Sequence, residues 1–390
     1  MIQRLVVKYK SIGLISLSLL VGAMMTFIAL PFLTRLYSVA DFGEYGIALA
    51  IVSVLSTVAN LRLDQALLIA DHADQKSLIF ESCIFSVIFC MASAIILSFF
   101  FNLSIVCAVF LGILSNSLIQ AVYNYQFSHQ AELFCAGLNL LRSVLVIAVQ
   151  LCLPILMSIT LVMSYAVSAF LITLLLLFYI QFKRLYQVSW HSFKHYQDFI
   201  FANTPHALLN SFSHNLPYYV VSHFMGYQAV GYYSIVERTL RVPINLMSQT
   251  LRQFFIRKFK DNISSKIALK NSIALSIISL PFFALFLLIP ESWYLMVFGQ
   301  EWTGIQVYFQ ILALGYWAVF CNPPSSAYLI AKRQSSRLFK LQIIELLIKL
   351  ILFAILYYSM ENKMYMLIAV PIALIFYNFA ILYRVGRDHR

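Results

Sequence analysis

The stretch LVMSYAVSAFLITLLLLFYI, residues 161–180, runs twenty positions without a charge and is followed directly by Gln181, Phe182, Lys183 and Arg184. An α-helix of that length rises about 30 Å, the thickness of a bilayer's hydrocarbon core. Its end on two basic residues suits an exit into water. The pattern recurs along the whole chain. Of 390 residues, 62% are hydrophobic and 11% charged, against roughly 45–50% and 25% in soluble domains, and mean hydropathy is +0.84. Too little polar surface is present to clothe a soluble fold. The expected class is an all-α polytopic membrane protein, and at roughly 20 apolar residues per crossing the composition supplies about twelve crossings.

Apolar runs fall at 12–33, 43–61, 78–100, 104–123, 139–157, 160–182, 199–224, 229–251, 267–289, 304–330, 338–358 and 364–383. The first follows Arg4, Lys8 and Lys10 as a signal peptide would, but no small-residue cleavage site comes after it, so it reads as a retained helix. Lys and Arg gather on the cytoplasmic side of membrane proteins. Twenty-two of them, including Arg62, Arg142, Lys183, Arg184, Arg252 and Arg390, fall on one side of this twelve-helix scheme. The other side has two, Arg35 and Lys363, beside the acids Asp41, Glu44, Glu291, Glu301 and Glu361. A miscounted helix would invert every later loop, so both termini are expected in the cytoplasm.

Several function classes drop out. The non-cytoplasmic connections are short, the longest lying around Pro290 to Thr303, which leaves no room for a catalytic domain there. No GxxxxGK[ST] phosphate loop occurs, so the chain is not expected to hydrolyse ATP, and no cofactor is expected. Net charge is +12. In a soluble protein that would invite a nucleic-acid reading, but here it follows the topology, and nucleic acid is not an expected partner. The six cysteines fall in or at the ends of apolar runs without a CxxC pair and read as small buried hydrophobes. His206, His214 and His223 do not share a face at ligand spacing, so no metal is expected.

The longest cytoplasmic connection, KRLYQVSWHSFKHYQD at 183–198, lies mid-chain, and its aromatic and basic mixture suits a helix in the membrane interface. It divides the chain into an N-terminal lobe, 1–182, with helices 1–6, and a C-terminal lobe, 199–390, with helices 7–12. An internal repeat supports this division. At an offset of 188, Asp41–Ile47 aligns with Ala229–Ile235, sharing Gly, Tyr and Ile at the start of the second and eighth crossings. Parallel repeats of six helices are a transporter plan with the substrate site between the halves.

Polar residues inside the crossings form stripes. In the seventh, Asn203, His206, Asn210, Ser213, His214 and Pro217 share a face about 100° wide, and in the eighth Ser234, Arg238, Arg241, Asn245, Ser248, Gln249 and Arg252 do the same. The second adds Ser53, Ser56, Thr57, Asn60 and Asp64. Intramembrane ions cost about 2.5–3.5 kcal/mol or more each, so they face a bundle interior or water. Structural readings stand beside the functional ones. Glu237 and Arg238 could be a buried pair, Glu345 and Lys349 an internal (i, i+4) salt bridge, Arg252 a topology anchor, and Arg62 a side chain snorkelling to the surface. Pro205, Pro217 and Pro323–Pro324 would kink their helices. Cavity arginines imply an anionic substrate, since guanidinium binds phosphate bidentately and stays charged. Asn, Gln, Ser and His around them suit sugar hydroxyls.

Three sets of residues then carry a family resemblance. The first is Pro31-Phe32-Leu33-Thr34-Arg35-Leu36-Tyr37-Ser38 with Asp41-Phe42-Gly43-Glu44-Tyr45 and Leu61-Arg62-Leu63-Asp64-Gln65-Ala66. The second is Ala207 to Pro217, then Val230-Gly231-Tyr232-Tyr233, Arg238 and Pro243, and the third is Phe298-Gly299-Gln300-Glu301-Trp302. In this order the chain resembles bacterial Wzx-like polysaccharide-unit flippases of the multidrug/oligosaccharidyl-lipid/polysaccharide (MOP) exporter superfamily.

The resemblance implies twelve helices in two lobes, a multi-pass protein of the bacterial inner membrane, and translocation of undecaprenyl-pyrophosphate-linked oligosaccharide to the periplasmic leaflet by alternating access with ion coupling and no covalent chemistry. Expected partners are the lipid-linked oligosaccharide and membrane lipid, with a polysaccharide polymerase and a chain-length regulator. Arg62, Asp64, Asn210, Asn215 and Arg238 occupy motif positions. Asp64 stands where Glu is usual and His214 where Gln is common, which leaves the coupling ion open. The substrate-binding candidates are Arg35, Arg62, Asn210, His214, Asn215, Arg238, Arg241, Asn245 and Arg252, and the coupling candidates are Asp64 and Glu237. A polymerase or ligase would want a large periplasmic loop, and a cationic-drug exporter would prefer acids where the eighth crossing has arginines.

Overall fold

In a computed structural model of the chain, residues 2–68, 70, 72–183, 191–261 and 263–388 are described, and every element among them is helical. The order is α1 (Ile2–Leu36), α2 (Val39–Ala59), α3 (Leu63–Ala66), α4 (His72–Leu97), α5 (Leu103–Ser128), α6 (Glu132–Leu156), α7 (Leu161–Phe182), α8 (His191–Asp261), α9 (Ser265–Leu288), α10 (Glu291–Phe298), α11 (Ile305–Phe320), α12 (Pro323–Ala331), α13 (Ser335–Ser359) and α14 (Ala369–Arg387). A helix satisfies its own backbone groups, which lipid cannot. Nine segments among the described residues are long and apolar enough to cross a membrane, with Ile305–Ala331 counted as one. The other three expected crossings fall in α13 and in α8, whose helical geometry is interrupted at Gly226 (φ 81°, ψ 177°), between the seventh and eighth apolar runs.

The chain divides into two compact units, Met1–Tyr218 and Tyr219–Arg390. In the first, α5 is the hub, packing on α2, α4 and α7, while α6 packs on α1 and α7. In the second, α11 packs on α9 and α14, and α14 also packs on α13. The pairings correspond if the fourth, fifth and sixth crossings are matched with the tenth, eleventh and twelfth. Glycine marks the tightest approach in both hubs. A Cβ at Gly112 would sit 2.8 Å from Val52 Cγ2 and from the Tyr165 hydroxyl, and one at Gly315 would sit 2.6 Å from Pro371 Cα. Small residues let membrane helices approach closely, where no hydrophobic drive holds them together.

Four expectations need correction. Helix α2 stops at Ala59, and Leu61 and Arg62 both take positive φ (51° and 60°), so Asp64 does not continue the face of Ser53 and Asn60. Helix α6 begins at Glu132, which places Arg142 inside a crossing and not in a cytoplasmic connection. Pro323 and Pro324 start α12 at its first turn, after α11 has ended at Phe320, so they begin a helix where a kink was expected. Cys152 is exposed, unlike the buried Cys90, Cys135 and Cys321. Of the interlobe connection, residues 184–190 lie outside the described residues.

Candidate functional site

The turn after α2 builds the first candidate site. Left-handed geometry at two successive non-glycine residues is strained, and it persists only where neighbours hold it. Here the Asn60 Oδ1 accepts the Arg62 backbone N–H at 3.2 Å, and α3 carries Asp64 inward to 1% exposure. Asn124 on α5 donates its Nδ2 to the Asp64 carbonyl oxygen at 2.8 Å and to Oδ2 at 3.2 Å, and Gln65 donates to Oδ2 at 3.3 Å. The other carboxylate oxygen, Oδ1, accepts nothing from the described residues. Burial raises the Asp64 pKa above the ordinary carboxylate value, and the Arg62 charge and the Gln65 hydrogen bond oppose that rise.

A second polar bridge joins α2 to the N-terminal part of α8. Ser211 donates to the Ser53 carbonyl at 2.9 Å, and the Asn215 amide reaches both Ser53 Oγ at 3.1 Å and the Ser211 carbonyl at 2.8 Å. Asn210 is half-buried and His214 exposed on the same helix, whereas Ser213 is 1% exposed and Pro217 is buried. The expected stripe is therefore partly packed and partly open. The side chains of Asn203, His206, Asn245, Ser248, Gln249 and Arg252 lie outside the described residues. Arg35 is exposed in the last turn of α1, separate in sequence and element from the Asp64 turn.

The second unit holds two ion pairs within its long helices. Arg241 Nε lies 2.9 Å from Glu237 Oε1, one helical turn away, and the guanidinium stands 5.9 Å from the centroid of the Tyr316 ring on α11. The ion pair seen is thus Glu237–Arg241, where the sequence had suggested Glu237–Arg238. Arg238 is half-buried, one residue on from Glu237. On α13, Lys349 Nζ and Glu345 Oε1 form a second ion pair with both side chains buried. Glu237 and Arg241 are near enough for their charges to act on Lys349, so the four groups form one neutral neighbourhood.

Several motif residues turn out to be structural. Asp41 forms a capping box with Ser38: its carboxylate accepts from the Ser38 backbone N–H at 3.1 Å, and its own N–H donates to Ser38 Oγ at 3.2 Å. The Tyr37 hydroxyl donates to the Gln150 carbonyl at 2.9 Å. In the second unit Trp302, fully buried, meets the Tyr232 ring edge-on at 5.8 Å, and the Tyr232 hydroxyl donates to the Thr303 carbonyl at 2.9 Å. Two motifs lying about seventy residues apart are thereby packed as one.

Residues 32–307 match the family model described as polysaccharide biosynthesis protein. The chain belongs to this polysaccharide biosynthesis family. The match begins at Phe32, the second residue of the Arg35 motif, and ends just after the Trp302 motif, so all three sets of residues except Pro31 fall inside it. No curated protein sequence matches the chain. Among solved structures, the lipid II flippase MurJ in an inward closed conformation is similar with a TM-score of 0.68 at 14% identity, over 94% of this chain and 87% of that one. An inward-facing multidrug resistance MATE transporter of the MOP superfamily gives 0.65 at 14% identity, over 96% and 98%. An outward-facing one gives 0.60 at 16%, over 98% and 94%. At such identities the likeness establishes the fold, which is that of the MOP-superfamily transporters, in a multi-pass membrane protein.

Proposed function

We propose that this member of the polysaccharide biosynthesis family is a Wzx-like flippase. It moves an undecaprenyl-pyrophosphate-linked oligosaccharide from the cytoplasmic to the periplasmic leaflet of a bacterial inner membrane by alternating access of two lobes, 1–182 and 199–390. The observation that carries the reading is the half-exposed guanidinium of Arg241, a membrane-depth cation beside an aromatic ring in a chain of this family. In this reading Arg35, Arg62, Arg238, Arg241 and Arg252 attract the pyrophosphate, Asn210, His214, Asn215 and Asn245 meet sugar hydroxyls, and the prenyl tail stays in lipid. The experiment is reconstitution. Vesicles holding the purified chain should move a fluorescent polyprenyl-pyrophosphate oligosaccharide across the bilayer, and export of a cationic dye with no movement of the lipid would replace this reading by a drug exporter.

Orientation is part of the proposal. Reporter fusions after Lys194 and after Arg390 should report cytoplasm, and one within 291–303 should report periplasm. The opposite signal at any of the three sites breaks the scheme.

For coupling we favour Asp64 over Glu237, because Glu237 is already neutralised by Arg241 whereas one Asp64 oxygen is buried and unbonded among the described residues. Asp64→Asn keeps the size, retains an acceptor for Asn124 and removes the titration. Flipping by the variant should no longer respond to an imposed proton or sodium gradient, with substrate binding retained. A variant that responds to both gradients like the parent would transfer the role to Glu237 or His214.

A further inference from the structure

The second unit holds two ion pairs within its long helices, whereas in the first an arginine within a crossing stands without a carboxylate partner among the described residues. Arg142 lies about ten residues inside α6, roughly 15 Å along the helix from its start. The matching depth of α13 carries Glu345, which Lys349 neutralises. Arg142 has no carboxylate within ion-pair distance among the described residues. Its one hydrogen bond there runs from Nη2 to Asn116 Oδ1 on α5, at 2.6 Å. A guanidinium has five N–H donors. The rest remain available on a side chain that is exposed, not packed away.

The surroundings are polar but neutral. Asn139 and Ser143 share the Arg142 face of α6, and Asn139 donates to Ser18 of α1 at 3.4 Å. Helix α1 comes close here, since a Cβ at Gly22 would lie 2.5 Å from Ser143 Oγ. The Tyr165 hydroxyl of α7 stands beside Asn116. On its other flank Arg142 lines a crevice of about 310 Å³ between α6 and α7 with Leu138, Leu141, Ile172 and Leu176. A fixed cation with neutral hydrogen-bonding neighbours and an apolar wall is costly to keep in a membrane. It attracts a phosphate oxygen far more strongly than it would in water.

The geometry points to a pyrophosphate-binding subsite within the N-terminal unit, with Arg142 as the anion ligand and Asn116 as the residue that positions its guanidinium. This inference rests on the flippase reading, and its ligand is the pyrophosphate of the lipid-linked substrate. The phosphate of an ordinary anionic phospholipid shares the same chemistry, so the test separates the two sources.

The probe is radiolabelled farnesyl pyrophosphate, bound to the full chain in phosphatidylcholine nanodiscs, with farnesol, inorganic pyrophosphate and phosphatidylglycerol as competitors. The parent should bind it, pyrophosphate should compete and farnesol should not. Arg142→Gln should weaken binding about tenfold or more, and Arg142→Lys should recover part of it, because a point charge lacks the fork of donors. Asn116→Asp is the decisive variant. It puts a carboxylate on the guanidinium, so binding should be lost while thermal stability is kept or raised. Retained binding in Asn116→Asp or in Arg142→Gln would overturn the subsite, as would displacement by phosphatidylglycerol as effective as by pyrophosphate. If either retains binding while the parent still flips lipid-linked oligosaccharide in vesicles, the subsite alone fails. If the parent neither binds the probe nor flips, the flippase reading fails with it.

Discussion

Replacing Arg241 by Gln should abolish export of surface polysaccharide in cells that depend on this chain for it. The charge-assisted hydrogen bonds a guanidinium makes to a phosphate are worth about 1.5–3 kcal/mol each, so losing even one lowers affinity tenfold to a hundredfold. The single variant is ambiguous by itself. It breaks the 2.9 Å ion pair of the Glu237 carboxylate, which is 9% exposed, and a buried ion pair broken from one side can unfold a membrane protein without any role in binding. The pair Glu237→Gln with Arg241→Gln removes both charges and the conflict. If Arg241 serves the substrate, this double variant should return to parental levels in the membrane and still export nothing. If it exports normally, Arg241 is only the partner of Glu237, and Arg238 becomes the next residue to test. Arg238→Ala should likewise stop export, and Arg238→Lys should recover part of it, since an ammonium does not reproduce bidentate geometry.

The crossings are legible in the sequence because the bilayer fixes their length and forbids charge within them. The repeat is legible in part: Gly43, Tyr45 and Ile47 find their counterparts by alignment, whereas the shared packing of the two hubs does not. It depends on Gly112 and Gly315, and a glycine in an apolar run gives no sign of which helix it will meet. Charge pairs at (i, i+4) can be read from spacing. Glu345–Lys349 follows that rule, and so does Glu237–Arg241, although the adjacent Arg238 looked like the partner.

What lies between distant segments is hidden. Nothing near Asp64 in the chain announces Asn124, sixty residues on, and the positive φ at Leu61 and Arg62 has no glycine to signal it. Arg142 shows a different kind of concealment. Hydropathy alone starts its crossing at 139, because Asn139, Arg142 and Ser143 depress the apolar average and an arginine near a boundary reads as an anchor. The helix starts seven residues earlier, at Glu132. The polar triplet at i, i+3 and i+4 was the available signal that these residues form one face inside the membrane.

The buried pair on α13 should govern stability more than any other single contact in the second unit. Lys349 and Glu345 are 2% and 4% exposed at the side chain, so neither charge can turn to water when its partner is removed. Lys349→Met keeps the volume and breaks the ion pair of the Glu345 carboxylate in a low-dielectric site, a change that costs about 3–5 kcal/mol. The variant should melt well below the parent in detergent and accumulate poorly in the membrane. Glu345→Gln should do similar damage by breaking the same pair from the other side. Combining Lys349→Met with Glu345→Gln removes both charges, and because the desolvation cost of the pair disappears with its attraction, most of the lost stability should return. The double variant then reports on function separately from folding. Full recovery of both melting temperature and export would make the pair a structural staple, and recovery of melting without export would mean that the four-charge neighbourhood around Arg241 takes part in transport. A Lys349→Met variant that melts like the parent would show that the pair is not buried as described.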